Sequence, residues 1–235
     1  MSIMNDHSDD FGYAVDIVFC IDVTGSMSPV IDAVKNNVRI FHGRLGAAMA
    51  EKSKSISQLR LRVIAFRDFP DNPENALEAT EFLALPGQLS EFERFVGRLY
   101  AIGGGDEPES GLEALSVAID SRWERGLDRR RHVIVVFTDA SAHPLGNTVA
   151  RRTVAYPPSI PGSIDELFER WGYPSSQEAV MENAAKRLLL FAPDRTPWNA
   201  IAADWNNTIF LPSEAGDGLE EFEMAEIIDA IANSI

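Results

Sequence analysis

Two short runs, residues 15–22 (VDIVFCID) and 132–139 (HVIVVFTD), are apolar at successive positions and stop abruptly at a carboxylate. A strand apolar at both parities must be covered on both faces, so each run predicts a central strand between layers of helices. Helices of the required kind follow in the sequence. In residues 29–50, Val30, Ile31, Val34, Val38, Phe41, Leu45, Ala48 and Met49 recur at helical spacing, behind Ser28 as a cap and Pro29 at the first helical position.

The same reading predicts a strand at 59–66, a short edge strand at 78–84 pairing with it as a hairpin, and a helix at 89–99. A further helix is expected from the glycine loop at 103–105 to about Arg125. Residues 140–174 interrupt the rhythm with Pro144, Pro157, Pro158, Pro161 and Pro174, and read as a long insertion holding a short helix at 163–171. Beyond it come a helix at 175–185, a strand at 187–192, a helix at 197–205, a strand at 207–211 and a helix at 219–233. The expected fold is α/β: a Rossmann-like, doubly wound, mostly parallel six-stranded sheet with one antiparallel edge strand and helices on both faces. No linker or internal repeat divides the chain, so residues 1–14 read as a tail and 15–235 as one domain. In such sheets ligands bind at the carboxyl ends of the strands where strand order reverses, here the ends of the 16–22 and 132–139 strands.

Composition narrows the ligand. The 235 residues carry 21 Lys plus Arg against 36 Asp plus Glu, a formal charge of −15, which argues against nucleic acid and anionic membrane surfaces. Cys20 is the sole cysteine and lies in an apolar run, which excludes an intrachain disulfide or a Cys-based zinc site and predicts a buried, inert thiol. The first eleven residues lack a basic region followed by an apolar core, and no apolar stretch approaches the ~20 residues that cross a bilayer. The expectation is a cytoplasmic protein that neither binds nor crosses a membrane.

Three segments bring hard oxygen donors to the expected binding edge: Asp22-Val23-Thr24-Gly25-Ser26, the stretch Asp106 to Glu109, and Thr138-Asp139. Carboxylates and hydroxyls without nearby His or Cys suit Mg²⁺, with Mn²⁺ or Ca²⁺ as substitutes. Alternate spacing lets Asp22, Thr24 and Ser26 turn toward one point while Gly25 permits the bend. Each residue also has a plainer reading. Asp22, Thr24 and Ser26 are acceptable helix caps, and Asp106, Glu107 and Glu109 favour the N-terminus of the next helix.

These segments resemble the metal-ion-dependent adhesion site of von Willebrand factor type A domains, with D-x-[ST]-x-S at 22–26 and T-D at 138–139. The stretches Ala65-Phe66-Arg67-Asp68, Gly103-Gly104-Gly105-Asp106-Glu107-Pro108-Glu109 and Asp139-Ala140-Ser141-Ala142-His143-Pro144 are similar to the subset found with atypical alpha-kinases and in bacterial stress and tellurium-resistance systems. The resemblance implies that Thr24 and Ser26 ligate a metal through their hydroxyls, and that Asp22 acts partly and Asp139 wholly through water. Asp106 stands in for a threonine that the family usually offers from the middle loop. It further implies binding rather than catalysis, with the metal accepting an Asp or Glu from a partner protein within a multiprotein assembly.

A rim around that site is open to the partner. Asp68, Glu107, Glu109 and His143 are candidates for it, although Asp68 also suits a salt bridge with Arg67 or a turn, and His143 suits simple polar filling. Tyr156 and Trp171, with Phe168 and Tyr173, read either as a partner surface or as the insertion's own small core. The basic cluster Arg122, Arg125, Arg129, Arg130 and Arg131 precedes a strand and reads as a helix end away from the metal edge. The enzyme alternative is a Mg²⁺-dependent phosphatase or hydrolase using the same carboxylates. Thr24 stands where an aspartyl phosphatase has its second aspartate, and neither a phosphate loop nor a G-x-S-x-G elbow is present.

Overall fold

A computed structural model describes residues 12–103, 107–173 and 179–235. β1 (Tyr13–Asp22) lies at the centre of the sheet, paired in parallel with β2 (Ile56–Phe66) on one side and β5 (Arg130–Phe137) on the other. β6 (Lys186–Pro193) and β7 (Thr208–Ser213) extend the β5 side, also in parallel. Strand order reverses between β1 and β5, as the topological argument requires, and both end at the same edge.

The far edge departs from expectation. Residues 78–84 do not form one strand: β3 (Leu77–Ala79) and β4 (Leu83–Leu85) each pair antiparallel with β2, making a seven-stranded sheet among the described residues. Phe82, between them, packs on Trp123 with ring centroids 5.3 Å apart and lies under the Arg60 guanidinium. That contact takes the chain away from the ladder and splits the edge.

Alternation along β1 divides the core. Val15, Ile17, Phe19 and Ile21 meet α1 (Ser28–Glu51), α2 (Leu89–Arg98) and α6 (Met224–Ser234). Val18 and Cys20 face the opposite layer of α3 (Gly111–Ile119), α4 (Ile164–Trp171) and α5 (Trp198–Asp204). Cys20 is fully buried and donates its thiol to Ala114 O at 3.7 Å, and burial pushes its pKa up to about 12, which keeps it inert as expected.

Two predicted helices need correction. α3 stops at Ile119 rather than near Arg125, because the Trp123 indole folds back and donates to the Ile119 carbonyl at 3.0 Å. Of the helix expected at 175–185, residues 175–178 lie outside the described residues and 179–185 is irregular chain and turn. The basic cluster begins β5 at the edge opposite Asp22. Arg130 pairs with Glu182, and Arg131 joins Arg187 in donating to the last carbonyls of α6, a favourable place for cations. Among the described residues no helix is long and apolar enough to cross a membrane.

Candidate metal centre

The end of β1 carries Asp22 into a fully buried position, where nearly all its hydrogen-bonding capacity is occupied. Oδ1 accepts from the Thr24 amide at 2.9 Å and from the Thr24 hydroxyl at 2.6 Å, while Oδ2 accepts from the Thr138 hydroxyl at 2.7 Å. The parallel β1–β5 register makes this last contact possible, since it pairs Ile21 with Phe137 and so brings Asp22 beside Thr138. Burial nevertheless raises the Asp22 pKa to about 6, against the three hydrogen bonds and with help from the charge of Asp139. Among the described residues no Lys, Arg or His pairs with Asp22 to offset that cost.

The turn after Asp22 is shaped by the glycine loop. Gly25 N donates to Gly103 O at 2.8 Å, and Ile102 N to Val23 O at 3.1 Å, so the loop preceding Asp106 is laced to the D-x-T-x-S segment. Asp106 itself lies outside the described residues. Ser26 is exposed beside the buried Thr24.

Asp139 is buried and strapped by the loop between β7 and α6. Gly218 N donates to its Oδ2 at 2.9 Å and Gly216 N to its main-chain oxygen at 3.0 Å. Gly218 has φ +62, and an ideal Cβ there would sit 2.2 Å from Ser26 O, so the strap closes over the Ser26 backbone only because the residue is glycine. Sequence reasoning missed Gly216 and Gly218; their signal was the Gly-Asp-Gly spacing in an acidic loop.

Among the described residues no three Asp, Glu, His or Cys side chains gather as a metal-binding group. The donors around Asp22 are instead hydroxyls, from Thr24 and Thr138, and a hydroxyl that donates to a carboxylate keeps lone pairs for a hard cation. A buried acid that lacks a counter-charge, ringed by hydroxyl oxygens and opening on exposed Ser26, fits a divalent cation.

The expected partner rim is less open than predicted. Asp68 is buried, but not paired with Arg67: its Oδ1 accepts from the Ser110 hydroxyl at 3.0 Å and meets His143 Nε2 at 3.2 Å. Arg67 instead reaches Glu78 and the carbonyls of Asn75 and Tyr100. The Asp68 carboxylate holds the His143 pKa above its ordinary value, so the histidine is a specific partner of Asp68, and its counter-charge when protonated, rather than polar filling.

Glu109 is also buried and Glu107 is exposed, accepting from Ser141 Oγ at 3.1 Å and Arg195 at 3.0 Å. Trp171 and Tyr156 are buried in the core layer that α3, α4 and α5 build against the sheet, so they form neither a separate core of the insertion nor an exposed surface. Trp171 is fully enclosed, and Tyr156 packs tilted against Phe69, ring centroids 4.9 Å apart, and donates to Glu113 Oε1 at 3.2 Å.

Over 156 residues the chain is 29% identical to a curated protein described as alpha-protein kinase vwkA of Dictyostelium discoideum; the match covers 66% of this chain but only 23% of that relative. Among solved structures, the pilus adhesin SpaC of Lactobacillus rhamnosus GG superposes with a TM-score of 0.52 at 11% identity, over 94% of this chain and 30% of SpaC, which is a likeness of fold. Residues 16–152 match the von Willebrand factor A domain family, a span that includes Asp22, Thr24, Ser26 and Asp139, and the chain belongs to that family.

Proposed function

We propose that this chain is a divalent-metal-dependent protein-binding module, not an enzyme, whose metal site accepts an Asp or Glu side chain from a partner within a multiprotein assembly. The observation that carries the reading is Asp22: a fully buried carboxylate, fixed by Thr24 and Thr138, with no ion-pair partner among the described residues. Asp22, Thr24 and Ser26 would hold the ion, Asp139 would act through water, and Asp106 would complete the set. Mg²⁺ is the favoured occupant because every donor is a hard oxygen, with Mn²⁺ or Ca²⁺ as substitutes.

A bound cation supplies a positive centre for an incoming carboxylate. The protein's part is positional. Thr24 and Thr138 lock the Asp22 carboxylate, the Gly218 amide locks Asp139, and the glycine loop sets the turn that carries Ser26. Two of the buried acids near the edge are engaged within the chain, Asp68 with Ser110 and His143, and Glu113 with Tyr156 through its Oε1. The family commonly serves protein interaction, and this site supports the same use.

Calorimetry with Mg²⁺ and Mn²⁺ on the native protein and on Asp22→Ala tests the proposal. Saturable binding is expected in the native protein and none in the variant; equal heats in both would overturn the site. Affinity capture from source cells with and without EDTA tests the second half, with a copurifying protein expected to depart when EDTA is added.

A further inference from the structure

Glu109 differs from the other buried carboxylates of the metal edge. Asp22 is held by Thr24 and Thr138, Asp68 by Ser110 and His143, and Asp139 by the Gly218 amide. The Glu109 side chain is only 4% exposed, yet its Oε2 has no hydrogen-bond partner.

Its place is set by the main chain. Glu109 N donates to Ser141 O at 2.9 Å, its carbonyl accepts from His143 N at 2.9 Å, and the residue forms a one-residue parallel bridge with Ala142. Residues 141–143 continue directly from Asp139, so this clamp holds Glu109 at the carboxyl edge beside β5. Two residues later, a Cβ on Gly111 would meet the Trp198 ring at 2.7 Å, and the tight packing leaves α3 no freedom to draw Glu109 away. Burial, then the charges of Asp22, Asp68, Asp71 and Asp139, raise the acid's pKa to about 9. A buried carboxylate oxygen without a donor, with four other acids near it, calls for a cation.

We propose that Glu109 is the chain's own carboxylate for the metal held by Asp22, Thr24 and Ser26, and that a partner's acid enters by displacing it. This inference rests on the metal-site reading above and adds a regulatory step to it. Glu109 contributes negative charge that tightens cation binding, and the same charge competes with any carboxylate arriving from outside. A partner must therefore present its acid in a context strong enough to win that exchange. Burial explains why Glu109 cannot itself be a surface contact, as the sequence suggested it was.

Mn²⁺ is the probe, read by water-proton relaxation and calorimetry, with acetate as the external carboxylate. In Glu109→Gln the Mn²⁺ affinity is expected to fall about tenfold, as for loss of one charge-assisted contact. More Mn²⁺-bound water should be seen in the variant, and acetate should displace it at a lower concentration than in the native protein. Equal Mn²⁺ affinity and equal acetate midpoints in the two proteins would overturn the role of Glu109 while leaving the metal site intact. Absence of Mn²⁺ binding to the native protein would instead remove the metal reading, and this inference with it. If Glu109→Gln loses its cooperative melt, the same readouts on Glu109→Asp decide, with smaller shifts in the same directions expected and no shift counting against the proposal.

Discussion

Asp16 and Asp22 sit at opposite ends of β1, on the same face by strand parity, and both are buried, yet they are stabilised by different means. Asp16 receives the Arg60 guanidinium as a two-pronged fork, at 2.7 and 2.6 Å, and the Glu124 amide at 2.7 Å. Asp22 has hydroxyls and an amide, and no cation. Arg60 retains some solvent access while Asp16 has almost none, so the pair is asymmetric. Arg60→Ala, which strands a buried charge, is expected to cost about 3–5 kcal/mol in urea unfolding, and Asp16→Ala distinctly less because the freed guanidinium can turn to water. At the other end, Gly218→Ala places a Cβ against Ser26 O in a left-handed backbone and must open the strap on Asp139. It should lower Mg²⁺ affinity severalfold by calorimetry while costing only about 1–3 kcal/mol of stability. A large loss of fold with unchanged affinity would show that the strap is merely structural.

At the level of elements, period alone was sufficient for β1, β5, α1 and α4, because each buries a stripe or run that no other secondary structure could hide. α1 runs 24 residues from Ser28, with Pro29 in its first turn and Leu45 and Met49 fully buried against the sheet. Leu45→Ala should cost about 2–5 kcal/mol in urea unfolding through cavity formation, with Mg²⁺ affinity unaltered because the cavity is remote from the edge. The split between β3 and β4 and the early end of α3 were not legible. Both depend on Trp123, whose ring meets Phe82 from the far edge and whose indole nitrogen caps α3, contacts between segments distant in the chain. The buried Lys186 was equally silent in the sequence. It donates to the Trp171 and Gly172 carbonyls and lies over the Trp171 ring, tying the insertion's helix to the sheet.

Across the whole molecule, several buried groups titrate in one direction. Glu109, Glu113 and Asp22 are raised to about 9, 7 and 6, chiefly by burial, and His143 is raised by Asp68. Each binds its proton more tightly when folded, so each favours the folded state below its unfolded pKa and loses that contribution as pH rises through the folded value. His132, lowered by burial, opposes this at acid pH, and Lys186, lowered to about 8, favours the folded state increasingly between pH 8 and its unfolded value near 10.5. The metal-free protein is therefore expected to melt at a lower temperature at pH 8 than at pH 5.5. Mg²⁺ should recover part of the difference at pH 8 and little at pH 5.5, as a thermal-melt series with and without EDTA would show.

The formal charge of −15, used at first only to argue against nucleic acid, thus has a spatial pattern. Acids collect around the Asp22 edge, while Arg131 and Arg187 cap α6 at the other. Composition, period and the two strand-end carboxylates were enough to specify a sheet covered on both faces and the edge at which Asp22 and Asp139 lie, since burial periodicity is a local property. Which carboxylates are satisfied was decided elsewhere. Thr138 reaches Asp22 across 116 residues of sequence and Gly218 reaches Asp139 across 79, contacts that exist only because strand order places β1 beside β5 and returns the β7–α6 loop over both. Hydrogen-bond satisfaction and dielectric environment belong to the packed molecule, and they separate Glu109, whose Oε2 is left without a donor, from Asp22, Asp68 and Asp139.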